Sequence, residues 1–270
     1  MDQLVLAIEC DPATDVICTP EFVNDLFETQ VVFSIGGFDV NRAMLLMLLA
    51  AFAAIALLFF AYRQPRVVPT KFGVAVEGMV GFVRDEIAIG IIGPEGIRYF
   101  PYLLSIFLFV LVGNFMEVAP FINFPITSRM AIPAFLAILT WVIFIFVGFA
   151  KNGVRYFTDI VWPRSVPVAL RPLVGIIEFF STFLLRPLTL AVRLFANLVA
   201  GHVMLSLLLA SGWIFVSSVG DIGARSVIGL GWFTIGLAIF LFEIVVSILQ
   251  AYIFTLLSAV YIQTSVHPEH

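Results

Sequence analysis

Two apolar stretches near the C-terminus constrain this chain more than any other feature. Residues 168–217 and 227–264 run with almost no loop-like break. As helices at about 1.5 Å per residue they would be roughly 75 and 55 Å long. A bilayer core is only about 30 Å thick, which an upright span of about 20 residues crosses. Each stretch is therefore either broken into two spans or steeply tilted. Only Pro187 offers a kink in the first, and SSVGDIGARS at 217–226 holds the only obvious turn chemistry. We read a hairpin of two long, steeply tilted helices. Composition excludes a soluble alternative, because 61% of the 270 residues are hydrophobic and 12% are charged. Soluble domains carry about twice that share of charge. The fold class is an all-α membrane protein, since apolar runs of this length are too long for the strands of a barrel.

Charge asymmetry sets the expected topology. Residues 1–42 hold Asp2, Glu9, Asp11, Asp15, Glu21, Asp25, Glu28 and Asp39, with no basic residue before Arg42. A first span follows at about 43–62, then Arg63, Arg66, Lys71, Arg84 and Arg98. The excess of basic residues puts this loop in the cytoplasm and the acidic N-terminus outside. The moderately apolar stretch at about 67–93, interrupted by Lys71, Glu77, Arg84, Asp85 and Glu86, reads as an interfacial helix, with a solvated loop as the alternative. Further spans are expected at about 100–119 and 131–150, joined outside by APFINFPITSR. Lys151, Arg155, Arg164 and Arg171 then mark a return to the cytoplasm. In all, about five membrane-embedded helices and one interfacial helix form a single helical domain over 43–264, followed by a polar tail at 265–270. The N-terminus has neither a secretory n-region nor an Arg-rich transit pattern, so insertion through the first span and a bacterial inner membrane are expected, an organelle membrane less so.

The function classes narrow accordingly. A net charge of −4 offers no basic field for nucleic acid. Cys10 and Cys18 make no metal framework; in an oxidising space they could pair, and otherwise stand as two free thiols. Three histidines, two of them (His267 and His270) in the tail, are too few for a multi-haem protein. No metal and no cofactor is expected, and no G-x-x-x-x-G-K-[ST] nucleotide loop occurs.

Polar residues in the last two helices carry the chemistry. Glu178, Arg186, Arg193, Asn197, His202, Glu243 and Gln250 lie in otherwise apolar sequence. An arginine at mid-membrane costs about 2.5–3.5 kcal/mol even on insertion scales, so it persists with a partner or a task. Arg186 has snorkelling to a nearby membrane interface as an alternative; Arg193 is flanked by LLRPLTLAV and LFANLVAGHVMLSLLLA and has no such outlet. At about 100° per residue Arg193, Asn197 and Arg186 share a face, and His202 points to the opposite one. Ala196 and Ala200 allow close approach of another helix. Glu243, Ser247, Gln250 and Phe254 form one stripe on the last helix. Arginine holds its charge and cannot relay protons, whereas histidine and glutamate can. A fixed cation beside separate titratable groups suits a device that moves protons past a barrier, and on charge alone it would equally suit a transporter.

RPLTLAVRLFANLVAGHVML at 186–205, LQAYIFTLLSAVYI at 249–262 and GNFMEVAPF at 113–121 together resemble the subunit a family of the rotary F-type ATP synthases, in the right order and over roughly the whole chain. The resemblance implies a stator in the membrane sector, with two offset half-channels beside a ring of c subunits. Arg193 would face the c-subunit carboxylate, with Asn197 one turn on and Gln250 opposite. Asn114, Glu117, His202 and Glu243 would line the outer half-channel, in the order histidine then acid that other members reverse. Glu178 would serve the inner half-channel, although it stands one residue farther from Arg193 than the family pattern implies. The implied partners are the c ring, peripheral-stalk b-type subunits, lipid and, indirectly, the catalytic sector. The transported species would be H⁺ or Na⁺. A stand-alone anion transporter is the rival reading, but it predicts inverted repeats with interrupted half-helices, which the sequence does not display.

Overall fold

The computed structural model describes residues 31–35, 38–63, 70–118, 130–162, 166–218 and 226–266, with 15, 17 and 223 as isolated positions. Cys10, Cys18, the 119–129 turn and the tail histidines lie outside the described residues. Before the first span, β1 (Val31–Ile35) pairs antiparallel with β2 (Phe38–Asn41). This hairpin was not expected. Its strands are rich in β-branched and aromatic residues around Gly36-Gly37, a recognisable hairpin pattern that the acidic character of the segment overshadowed.

The helices follow in the expected order. They are α1 (Arg42–Tyr62), α2 (Lys71–Phe82), α3 (Phe100–Val118), α4 (Ala131–Asn152), the short α5 (Val154–Val161), α6 (Arg171–Phe180), α7 (Arg186–Ser217) and α8 (Ser226–Val266). Among the described residues, four stretches are long and apolar enough to cross a membrane: Met44–Tyr62, Ala131–Asn152, Arg171–Ser217 and Ser226–Val266. Phe100–Met116 is a shorter apolar helix. The last two stretches are 47 and 41 residues long, about twice what an upright span needs, a length that tilt accommodates.

Local chemistry sets the boundaries. The expected interfacial helix begins at Lys71, where the Thr70 hydroxyl caps it by accepting from the Gly73 N–H at 3.2 Å. It runs through a π-helical segment, Val83–Ile89, and stops at Gly93, whose φ of 94° only glycine adopts freely. α5 was also not expected. Gly153, at φ 60°, turns the chain out of α4, and the eight residues VRYFTDIV then bury Tyr156, Asp159 and Ile160 on one face. The Arg171–Ser217 helix carries a second π segment, Ser181–Leu185, in which the Arg186 N–H reaches the Ser181 carbonyl. Pro187 follows directly. It has no N–H for the carbonyl four residues back, and its ring crowds that carbonyl, so the helix widens there rather than breaking.

The described residues fall into two compact units. One draws on Ala50–Val112, Met130–Phe195 and Leu249–His270. Its core packs Leu103, Ile106, Phe107 and Val110 of α3 with Leu136, Ala137 and Phe144 of α4, Leu190 and Leu194 of α7, and Phe254 and Ile262 of α8. The other includes Gly113–Arg129 and Ala196–Ile248. There α7 and α8 lie antiparallel at close range: a Cβ on Gly212 would meet the Phe233 backbone at 2.8 Å, and one on Gly236 would meet Leu209 at 2.8 Å. Missing side chains let the backbones approach where lipid supplies no hydrophobic drive.

Candidate functional site

In the unit containing Ala196–Ile248, several polar or titratable side chains are buried. His202 is 2% exposed, Glu243 8% and Asn114 0%. The antiparallel register brings the Glu243 carboxylate against Gly201, the residue before His202; a Cβ on Gly201 would collide with it. Asn114 donates from Nδ2 to the Ser247 carbonyl at 3.4 Å, while its buried Oδ1 has no hydrogen-bond partner among the described residues. Ser206 and Ser247, each one turn beyond His202 and Glu243 respectively, are also buried, as is Ser211. Sequence reasoning missed Gly201, Ser206 and Ser211; only Ser206, one turn from His202, had a helical spacing that could have signalled it. Glu117 belongs to α3, but its side chain lies outside the described residues.

Arg193 belongs to the other unit, the one containing Met130–Phe195. Leu190, Ala191 and Leu194 are buried and turn Arg193 outward, where it is exposed together with Thr189, Val192, Ala196 and Ala200. Asn197 is half-buried, and so is Gln250, two turns beyond Glu243 on α8. Glu243, Ser247 and Phe254 are buried along the expected stripe.

A third group gathers in the unit containing Met130–Phe195. Glu178 and Arg186 are half-buried on either side of the Ser181–Leu185 π segment. In an unbroken α-helix their eight-residue spacing would set them about 80° apart. A π turn absorbs about one residue, and the pair then behaves as if seven apart, about 20° off one line. Arg186 sits 5.3 Å from the ring centroid of Tyr261 and donates to Thr264 Oγ1 at 3.4 Å, so its guanidinium is held at the C-terminal end of α8. Among the described residues no group of three or more His, Cys, Asp or Glu is arranged to hold a metal.

The family model for the ATP synthase A chain matches residues 44–263. The chain belongs to that family. It is 38% identical over 254 residues to ATP synthase subunit a of Frankia alni, covering 91% of this chain and 86% of the relative. It is also 38% identical over 251 residues to subunit a of Rhodococcus erythropolis, covering 92% and 90%. The subunit a of Gluconacetobacter diazotrophicus is 36% identical over 226 residues, covering 84% and 88%. The all-α membrane fold expected from the sequence stands.

Proposed function

We propose that this chain is the stator of the ATP synthase membrane sector, with two offset proton half-channels separated by Arg193. The observation that carries this reading is the exposure of Arg193. A permanent cation stands exposed in an apolar helix of one unit, while imidazole and carboxylate groups are buried within the other. Facing lipid, Arg193 would be costly; facing an anion on a partner helix, its charge has a use. Ala196 and Ala200, exposed beside it, leave room for that helix to approach.

Protons enter from the outside past Asn114, Glu117, His202 and Glu243, and neutralise a carboxylate on the c subunit. Protonated, that carboxyl enters lipid at a cost the ionised form could not meet. Near Glu178 it loses its proton toward the cytoplasm. The resulting anion pairs with Arg193, which cannot be deprotonated and so blocks passage from one half-channel to the other. Asn197 and Gln250 flank the cation as hydrogen-bonding neighbours. Each charge moved across 100 mV yields about 2.3 kcal/mol, so several are needed per ATP. The ring, b-type stalk subunits and lipid are the direct partners, and the catalytic sector is an indirect one.

The topology proposed with this function has the N-terminus outside and the C-terminus cytoplasmic in a bacterial inner membrane. It is supported by the Lys151–Glu95 ion pair, which joins the last turn of α4 to the short turn before α3, both assigned to the cytoplasmic side. Arg193→Ala tests the function. Assembled complexes carrying it should lose proton-driven ATP synthesis, measured in energised inverted vesicles, to background; substantial coupled synthesis would contradict the proposal.

A further inference from the structure

One buried hydroxyl pair takes no part in the site described above. Tyr156 on α5 and Ser265 near the end of α8 share a hydrogen bond of 3.0 Å between Oη and Oγ, with either atom able to donate. Both are buried, at 5% and 0% exposure. The site is built to hold the ring: a Cβ on Gly148 would lie 2.6 Å from it, and Phe149 packs edge-on at 5.7 Å. Asn152 donates to the Ser265 carbonyl at 2.9 Å and fixes the other side of the pair. Burial pushes the Tyr156 phenol above its ordinary value, and the charges of Arg186 and Glu178 both act on it. The phenol therefore stays neutral within electrostatic range of the acid assigned to the inner half-channel. Arg155 and Thr264, chain neighbours of Tyr156 and Ser265, are exposed. Asp159, one turn along the same buried face, pairs with Arg155 at 3.5 Å.

We propose that the Tyr156–Ser265 hydroxyl pair conducts protons between Glu178 and the water at the cytoplasmic end of the helices. This rests on the inner half-channel reading of Glu178. A hydroxyl can accept a proton on its oxygen while releasing its own, and rotation of the O–H bonds then restores the starting state. The pair passes one proton per cycle, keeps no net charge and needs no other reactant. A clamp that merely ties α5 to α8 would use the same bond, so the test must separate conduction from assembly.

The experiment measures passive proton conductance of inverted membranes stripped of the catalytic sector, divided by the amount of assembled membrane sector. Tyr156→Phe keeps the ring in its cradle, Ser265→Ala removes the partner hydroxyl, and Glu178→Gln is the reference. We expect each single change to reduce conductance per complex several-fold, and Tyr156→Phe combined with Ser265→Ala to be no worse than either alone. Less assembled complex with unchanged conductance per complex makes the pair a clamp and overturns the proposal. If Glu178→Gln lowers conductance while the hydroxyl variants do not, the pair is excluded and the reading of Glu178 survives. If none of the three has an effect, both fall.

Discussion

A methyl group added at Gly201 would overlap the Glu243 carboxylate, so the smallest side chain in the site sets the position of its acid. Gly201→Ala should displace Glu243 from its place against residue 201 and slow ATP-driven proton pumping by about ten- to a hundredfold, as shifts of about 1 Å in reacting groups do. Glu243→Asp, one methylene shorter, should recover part of that loss; fluorescence quenching in inverted vesicles reads both, and an unimpaired Gly201→Ala would contradict the steric account. The residues themselves were legible in the sequence for a simple reason. A charge is conspicuous in an apolar helix, which is how Arg193, His202 and Glu243 stood out. Gly201 was not conspicuous, because its role lies in what a helix more than forty residues later places against it. Tyr156 and Ser265, 109 positions apart, were invisible for the same reason.

The decisive element is the helix from Arg171 to Ser217, whose Ser181–Leu185 π segment sets the rotation of Glu178 relative to Arg193. If that segment absorbs one surplus residue, deletion of the exposed Leu184 should regularise the helix and leave Glu178 in line. Such a variant should keep most of its coupled pumping, whereas an alanine inserted at the same place should abolish it by rotating Glu178 about 100°. Equal loss in both would show that the π turn has no register role. Sequence reading located the helices within a few residues, because hydropathy and bilayer thickness jointly fix span length. It could not see the π turn, since STFLL is ordinary helical composition and only Pro187 hinted at a disturbance. α5 escaped because eight amphipathic residues are too short for a periodic signal, and its burial depends on Ser265 and Gly148 far away in the chain.

For the whole molecule, the families of charge separate by task. Basic residues in the loops accord with orientation by the positive-inside rule; the few charges within helices hold the proposed chemistry. The face of α7 bearing Thr189, Val192, Arg193, Ala196 and Ala200 is exposed in the isolated chain, and the central claim is that a c-subunit helix covers it. Cysteines placed singly at Ala196 and Ala200, paired with a cysteine beside the c-subunit carboxylate, put this to the test by oxidative crosslinking in assembled complexes. The account predicts a crosslinked a–c product from this face and none from a cysteine at Leu205 on the buried side. Absence of a crosslink from every position on the Arg193 face, in complexes that assemble normally, would contradict it.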